Sequence, residues 1–333
     1  MKKILLGGSP CEFWSIIQKN RETMPSGLGW ELFKNFLIAK QKFKPDIFLY
    51  ENNKSAAEPI KEQIRKELGV GRGAIFTELD SALLSAQHRR RFYVHNCGEV
   101  APIQDRNVCI NDILEPFNEV TQASLNIGGC KTIHNALPKL AKKLGYIPQH
   151  FNAYNLSELK EKSPTLSTGS MATSSCAVDR FERVSDNSEL KPLFIVRGGE
   201  ILIGDIKYPA KFSDGTYIIR KLSVTECERL QTLPDGYCSC VSSAQAYKAI
   251  GKGWTRNIIT HILNGALKNV PREEPLVVLS MYDGIATGRL CLEDLGFENI
   301  TYFAYEIDKN AIAVAESNYP DILQCGNAFQ LCL

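Results

Sequence analysis

Short, unbroken apolar runs closed by glycine, proline or polar residues set the frame of this chain. Ile4–Leu6 is the first, and Gly7, Gly8 and Pro10 break it, so the pattern predicts a buried strand leading into a turn at Cys11. Residues 12–30 carry Gly27, Gly29 and several polar positions and are expected to form a mobile loop. From Trp30 to Lys42, Leu32, Phe33, Phe36, Leu37 and Ile38 recur with helical spacing, and Pro45 ends the segment. Asp46–Tyr50 is a second buried strand that delivers Glu51-Asn52-Asn53 at its end. A helix over Glu58–Leu68, closed by Gly69, and strands over Ala74–Leu79 and Arg91–His95 follow.

Beyond about residue 113, Ser, Thr, Gly and Asn rise and helical periodicity fades outside Leu137–Leu144. Leu193–Val196, Glu200–Ile203 and Tyr217–Arg220 read as short strands of a separate, mostly β domain. Ser223 with Glu226 three positions on is a capping box for a helix over Val224–Leu230. Ala244–Leu263 is helical, interrupted near Gly251–Gly253. Leu276–Ser280 then forms a strand, Tyr282–Gly288 a turn, and a helix runs through Leu295. Tyr302–Tyr305, Asp308–Asn318 and Ile322–Gln324 continue as strand, helix and strand. This β-α-β-α-β succession is that of a doubly wound, Rossmann-like parallel sheet, so the fold class is α/β with a second, smaller, mostly β domain.

Composition adds limits. With 333 residues the chain is long enough for one large domain and a smaller one, and 44% hydrophobic with 23% charged residues is ordinary for a globular protein. A net charge of +2 neither requires nor excludes a polyanionic partner. Eleven cysteines, with neither CxxC spacing nor a zinc pattern, fit free thiols in a reducing cytoplasm, and no metal site is expected. The N-terminal apolar stretch is too short for a signal peptide, and no run approaches a membrane span.

The candidate chemistry sits where strands end. In open α/β sheets, ligands bind beyond the carboxyl ends of the strands. A thiol there, Cys11, reads as a nucleophile, although a lone cysteine is more often structural. Glu51 ends the next strand and would lie near it, though a carboxylate at a strand end is otherwise a common solvated residue. Gln87-x-Arg89-x-Arg91 enters a strand, so the two arginines share one side; a basic surface patch is the plainer reading. The glycine-rich turn 283–288 lets a ligand approach the backbone, and Glu306 stands where an acid could bind ribose hydroxyls. The turn lacks the full G-x-G-x-x-G of dinucleotide sites.

Together these pieces are more specific than any one. Strand-Gly-Gly-Ser-Pro-Cys11, strand-Glu51-Asn-Asn and Gln-x-Arg89-x-Arg91-strand occur in that order. Arg220-Lys-Leu-Ser-x-x-Glu-Cys-x-Arg-Leu-Gln-x-x-Pro-x-x-Tyr237, Ala246-Tyr-Lys-Ala-Ile-Gly-Lys-Gly-Trp254 and Asp283-Gly-Ile-Ala-Thr-Gly288 follow. The set resembles the cytosine-5 DNA methyltransferases over nearly the whole chain except about 113–215. Tyr282–Gly288 and Gly7–Ser15 look most like the animal de novo branch. The order departs from the family, in which the cofactor loop precedes the Pro-Cys motif, so the chain looks circularly permuted with 264–275 as the joining linker. The resemblance implies a catalytic domain in two parts, 1–112 and 241–333, around a target-recognition domain at 113–240.

It also implies roles. The methyl donor would be S-adenosylmethionine, leaving S-adenosylhomocysteine, and the substrate a cytosine flipped out of duplex DNA. Cys11 would attack C6, activated by a nearby cation such as Arg91. Glu51 would hold the N3 edge of the base, and Arg89 would support Glu51 or the base's O2. Pro10, Trp254, Tyr282, Asp283, Gly284, Ile285, Thr287, Gly288, Glu306, Ile307 and Asn327 would surround the cofactor. At Asn327 the family usually has an acid. Loop 12–30 would close as a lid, and Ser15, Arg89, Thr165, Ser167, Thr168, Gly169 and Ser170 would meet DNA. An RNA (tRNA) cytosine-5 methyltransferase and a catalytically silent DNA-binding homologue are the alternatives. The long insertion at 113–222 favours DNA, and retention of Cys11, Glu51, Arg89 and Arg91 favours activity. The compact chain is expected to be cytoplasmic, in a bacterium or phage-infected host, with a restriction endonuclease as possible partner.

Overall fold

The structure is a computed structural model and describes residues 1–16, 18–118, 131–166 and 178–330. The chain forms two units. The first comprises Met1–Leu84, Arg89–Arg106 and Gly253–Leu333, and the second Ser85–His88 and Asn107–Lys252.

The chain opens in the first unit with β1 (Lys2–Gly7), α1 (Leu28–Phe43), β2 (Ile47–Asn53), α2 (Glu58–Leu68), β3 (Ile75–Asp80) and β4 (Arg90–His95). Each helix is bounded as its sequence dictates. Leu32, Phe33, Phe36 and Ala39 give α1 its buried stripe, and Lys44 closes it in a left-handed conformation just before Pro45. Gly69 does the same for α2, donating its N–H to Arg65 O and Lys66 O at φ 80°.

The second unit contains α3 (Lys131–Leu144), β5 (His150–Asn152), β6 (Ser157–Glu158), β7 (Asp179–Val184), β8 (Phe194–Arg197), β9 (Glu200–Ile203), β10 (Ile206–Pro209), β11 (Gly215–Lys221), α4 (Val224–Leu230) and α5 (Ser243–Lys252). Its seven strands form an antiparallel sheet in the order β10-β9-β8-β11-β7-β5-β6. One core joins α3, through Ile133, Leu137 and Leu140, to Phe151, Phe181, Val196 and Ile219 of the sheet. The long motif that begins at Arg220 is structural here. The Arg220 guanidinium, fully buried, makes two parallel 2.7 Å bonds to Glu226 and a third, of 3.0 Å, to Glu182. Glu226 also accepts from Ser223 N, and the Ser223 hydroxyl accepts from Glu226 N, which is the expected capping box.

The chain then returns to the first unit with α6 (Arg256–Leu267), β12 (Leu276–Met281), α7 (Thr287–Asp294), β13 (Ile300–Tyr305), α8 (Lys309–Asn318) and β14 (Leu323–Gln324). The sheet order is β14-β13-β12-β1-β2-β4-β3. β1 lies parallel between β12 and β2. One β-α-β series therefore winds outward from β12 and the other from β1. The reversal lies between them, at the carboxyl ends where open α/β sheets bind ligands. The half expected to bind cofactor comes last in the chain, as a permuted order requires. One strand departs from the parallel expectation: β4 runs antiparallel between β2 and β3. Its short connection from β3 leaves no room for a crossover.

The loop over 12–30 also differs from expectation. Trp14 is fully buried, and its indole N–H donates to Glu22 Oε2 at 3.1 Å. Glu22 Oε1 accepts from Gly29 N, and Arg21 reaches Ser55 O at 2.7 Å. A Cβ on Gly29 would lie 2.7 Å from Phe13, Trp14 and Glu22, so the loop's return is packed shut. Among the described residues, no helix is long and apolar enough to cross a membrane.

Candidate active site

Cys11 begins a 3-10 turn, Cys11–Phe13, four residues past the end of β1, and is half-buried. The turn before it is tightly held. A Cβ on Gly7 would lie 2.8 Å from Phe36 and 3.0 Å from Met281 O. One on Gly8 would lie 3.0 Å from both the backbone oxygen and Oε2 of Glu51, and 3.3 Å from Trp254 Nε1. Only glycine brings the thiol's turn this close to that carboxylate.

Glu51 sits near the end of β2 and is 8% exposed. Arg91 Nε pairs with its Oε1 at 2.9 Å, and Trp254 Nε1 donates to its Oε2 at 3.0 Å. Both carboxylate oxygens are thus fixed in direction. Such a buried pair is tolerable because each charge keeps a partner. Arg91 reaches Glu51 diagonally, since it stands opposite Asn53 in the β2–β4 ladder. Arg89, on the same side of the chain, is 3% exposed and donates Nη2 to Gly253 O at 2.8 Å. Burial and the neighbouring Arg91 push its guanidinium down to about 10, while Glu51 and Cys11 act in the opposite sense. The arginines are therefore not a surface patch. Arg91 pairs directly with Glu51, and Arg89 is a cation whose field reaches both Glu51 and Cys11. Strand alternation gives the side of the sheet but not the reach, so it did not specify the direct Glu51–Arg91 pair.

The turn after β12 carries three left-handed residues, Tyr282 (φ 61°), Gly284 (φ 66°) and Ala286 (φ 59°). The Tyr282 hydroxyl donates to Leu32 O at 2.7 Å. Ile285, Thr287 and Gly288 are buried, and a Cβ on Gly288 would lie 2.7 Å from Leu6 and 2.8 Å from the Tyr302 hydroxyl. Glu306 Oε2 accepts from Gly284 N at 2.9 Å, and its Oε1 from Ile307 N and Asp308 N. Asp283 Oδ1 accepts from the Tyr302 hydroxyl at 2.6 Å, while its Oδ2 is buried without a hydrogen-bond partner. Burial pushes this carboxyl up to about 6. Two carboxylates at one glycine turn repel a phosphate and suit a ligand with hydroxyls and positive charge. Open space beside Gly284, where a Cβ would meet nothing, leaves room for one. S-adenosylmethionine has a ribose diol, an ammonium and a sulfonium, and fits this set. Ile307 is 70% exposed, and Asn327 caps a final 3-10 turn through its side-chain oxygen, which accepts from Phe329 N at 3.0 Å.

Pro10 precedes Cys11, and Ser15 lies in the loop beyond it. Thr165 belongs to the second unit, where its hydroxyl donates to His88 O at 2.6 Å. Ser167, Thr168, Gly169 and Ser170 lie outside the described residues. Among the described residues no cluster of His, Cys, Asp and Glu could hold a metal ion. Sequence reasoning missed Ser9, Tyr50 and Asn52, which form a buried hydrogen-bonded group under the Cys11 turn. Their only sequence signal was adjacency to Cys11 and Glu51.

No curated protein shows a detectable sequence match to this chain. Among solved structures, the Entamoeba histolytica methyltransferase EhMeth superposes with a TM-score of 0.50 at 10% identity, over 80% of this chain and 78% of that one. The S. pombe Dnmt2 methyltransferase gives 0.43 at 15% identity, over 80% and 77% of the two chains. A Spodoptera frugiperda DNMT2 mutant gives 0.45 at 13%, over 79% and 78%. At such identities the EhMeth likeness concerns the fold, a methyltransferase sheet with a second antiparallel sheet. The sequence model of C-5 cytosine-specific DNA methylases matches residues 84–268, more than half of the chain, and the chain belongs to that family.

Proposed function

We propose that this protein transfers a methyl group to C5 of a cytosine in duplex DNA, through a covalent bond between Cys11 and C6. The observation that carries this reading is the convergence, in one unit, of the Cys11 turn, the Glu51–Arg91–Trp254 group and the acidic glycine turn at the carboxyl ends of β1, β2 and β12. The family match, to a model of DNA methylases, supports DNA as the substrate.

Cytosine C5 is a poor nucleophile until a group adds at C6. Cys11, as thiolate, adds there, and the electron pair moves toward N3 and O2 of the ring. Arg89 lies close enough to Cys11 and Glu51 to stabilise negative charge in this space. Glu51, held by Arg91 and Trp254, faces the N3 edge and stabilises its protonation as the ring accepts the electrons. Bound S-adenosylmethionine supplies the electrophilic methyl group that the activated C5 takes up. A base takes the C5 proton, and the C6–S bond breaks with its electron pair returning to Cys11, which restores the aromatic ring and frees the thiolate. Asp283 and Glu306 are the acceptors for the donor's charge and hydroxyls, and Tyr282 lines the same turn.

Incubating the protein with methyl-labelled S-adenosylmethionine and, in parallel, mixed-sequence duplex DNA or tRNA, then analysing the nucleosides, tests the reading. 5-Methylcytosine that disappears with Cys11→Ala supports it. Label that enters tRNA and not DNA would assign the RNA substrate instead. No label in either, with DNA bound, would identify a silent homologue.

A further inference from the structure

Alternation along β2 sends Glu51 to one side of the sheet and its neighbours Tyr50 and Asn52 to the other, where the helix α1 packs. Tyr50 is fully buried, with its ring 5.1 Å from both Phe33 and Phe36. Its hydroxyl lies 2.7 Å from Ser9 Oγ. Asn52, also fully buried, donates Nδ2 to Ser9 O at 3.0 Å, to the Tyr50 hydroxyl at 3.0 Å and to Ser9 Oγ at 3.2 Å. Its Oδ1 accepts from Asn53 N at 2.7 Å, which fixes the orientation of the amide. Because the Tyr50 oxygen accepts from Asn52, its own proton is free to go to Ser9. Burial raises the phenol far above its usual range, so Tyr50 stays neutral and keeps that proton. Ser9 is itself 3% exposed and lies two residues before Cys11.

We infer that Tyr50 and Ser9 are positioning residues. Their hydroxyl pair clamps the turn from below and sets where the Cys11 thiol stands relative to Glu51. The inference rests on the reading of Cys11 as nucleophile. It follows from where the bonds land: Ser9 is gripped from β2 through both its backbone and its side chain, one peptide unit away from Pro10. The same strand that aims Glu51 therefore also anchors the nucleophile's turn, and the two groups share one rigid reference. A buried network of this kind is costly when only partly satisfied, and the loss of either hydroxyl leaves the other with its bond from Asn52 alone.

Two single variants, Tyr50→Phe and Ser9→Ala, and their double variant test this in the full chain with two readouts. The first is steady-state methyl transfer. Each single variant should lower kcat about 10- to 100-fold, the effect of a displaced reacting group. The KM values for DNA and S-adenosylmethionine should stay within about twofold, since neither hydroxyl is assigned to substrate. The double variant should fall by less than the product of the two single effects, because both single variants already break the shared Tyr50–Ser9 bond. The second readout needs no activity: amide hydrogen exchange of the peptide spanning Leu6–Phe13 should speed up in each single variant, and in the double by less than the two single effects combined. Unchanged kcat with unchanged exchange, or effects that multiply in the double variant, would overturn the inference. If Tyr50→Phe fails to fold, Ser9→Ala alone decides, because it removes the partner without opening the aromatic core. A native protein with no methyl transfer, but with faster exchange in the variants, would refute the proposed function and leave the clamp standing.

Discussion

Glu51 shows most clearly how single residues are committed in this site. Both of its oxygens are taken by donors from distant parts of the chain, Arg91 and Trp254. Glu51→Gln presents one of those donors with an amide N–H and leaves it unpaired. We expect kcat to fall about 10²- to 10⁴-fold, the range for loss of a positioned acid–base group, with a lower melting temperature. Steady-state kinetics and a thermal melt read the two effects. Asp283 gives a pH signature. Its carboxyl is raised from 3.8 to about 6 by burial, so the folded chain holds a proton that the unfolded chain has released. The ligand-free fold therefore loses stability as pH rises across that window and gains it back on acidification. A cationic ligand favours the ionised carboxylate, so S-adenosylmethionine should bind more tightly as pH rises through about 6. Calorimetric titration should show this dependence in the native chain and not in Asp283→Asn. What the sequence carried at this scale was the residue types at strand ends. It did not carry the Glu51–Arg91 pair, or the Tyr50–Ser9 bond, because partners some 40 residues apart leave no periodic trace.

At the scale of elements, local signals were legible wherever the physics is local. The strand over Ile4–Leu6, the capping box at Ser223 and Glu226, and the helix end at Gly69 follow from apolar runs, a short polar pair and a left-handed glycine. The packing of the loop after Cys11 was not legible because one tryptophan among polar residues has no period. Its burial against Glu22 and Gly29 appears only in three dimensions. The motif beginning at Arg220 was legible as a pattern but not as architecture. Arg220 and Glu226 are both fully buried and answer each other. Glu226→Ala leaves the guanidinium, among the described residues, with Glu182 as its charged partner and should destabilise the second unit by about 3–5 kcal/mol. Denaturant unfolding followed by a probe in that unit measures the loss. A change below about 1 kcal/mol would mean that the pair contributes little.

For the whole molecule, the strand order of the first sheet explains why a chain that reads its motifs out of order still builds one crevice. β12 and β1 are neighbours in the sheet, in register from Lys2 opposite Leu276 to Gly7 opposite Met281, although they lie at opposite ends of the sequence. Proximity in the sheet, and not in the chain, brings the acidic turn to the Cys11 turn. A reordered chain that places 276–330 before residue 1, through a flexible linker of about 20 residues, should therefore form the same sheet. Its circular dichroism spectrum should match that of the native chain, and a loss of helix and strand would show that the order itself matters. The central claim is that Cys11 bonds to cytosine, and covalent trapping tests it most directly. Duplex DNA containing 5-fluorocytosine is incubated with S-adenosylmethionine and either the native protein or Cys11→Ala, since fluorine at C5 blocks the final elimination. The native protein should give a denaturation-resistant adduct, attached at Cys11 by peptide mapping, and the variant none. An adduct that survives in Cys11→Ala, or none in the native protein with the DNA bound, would contradict it.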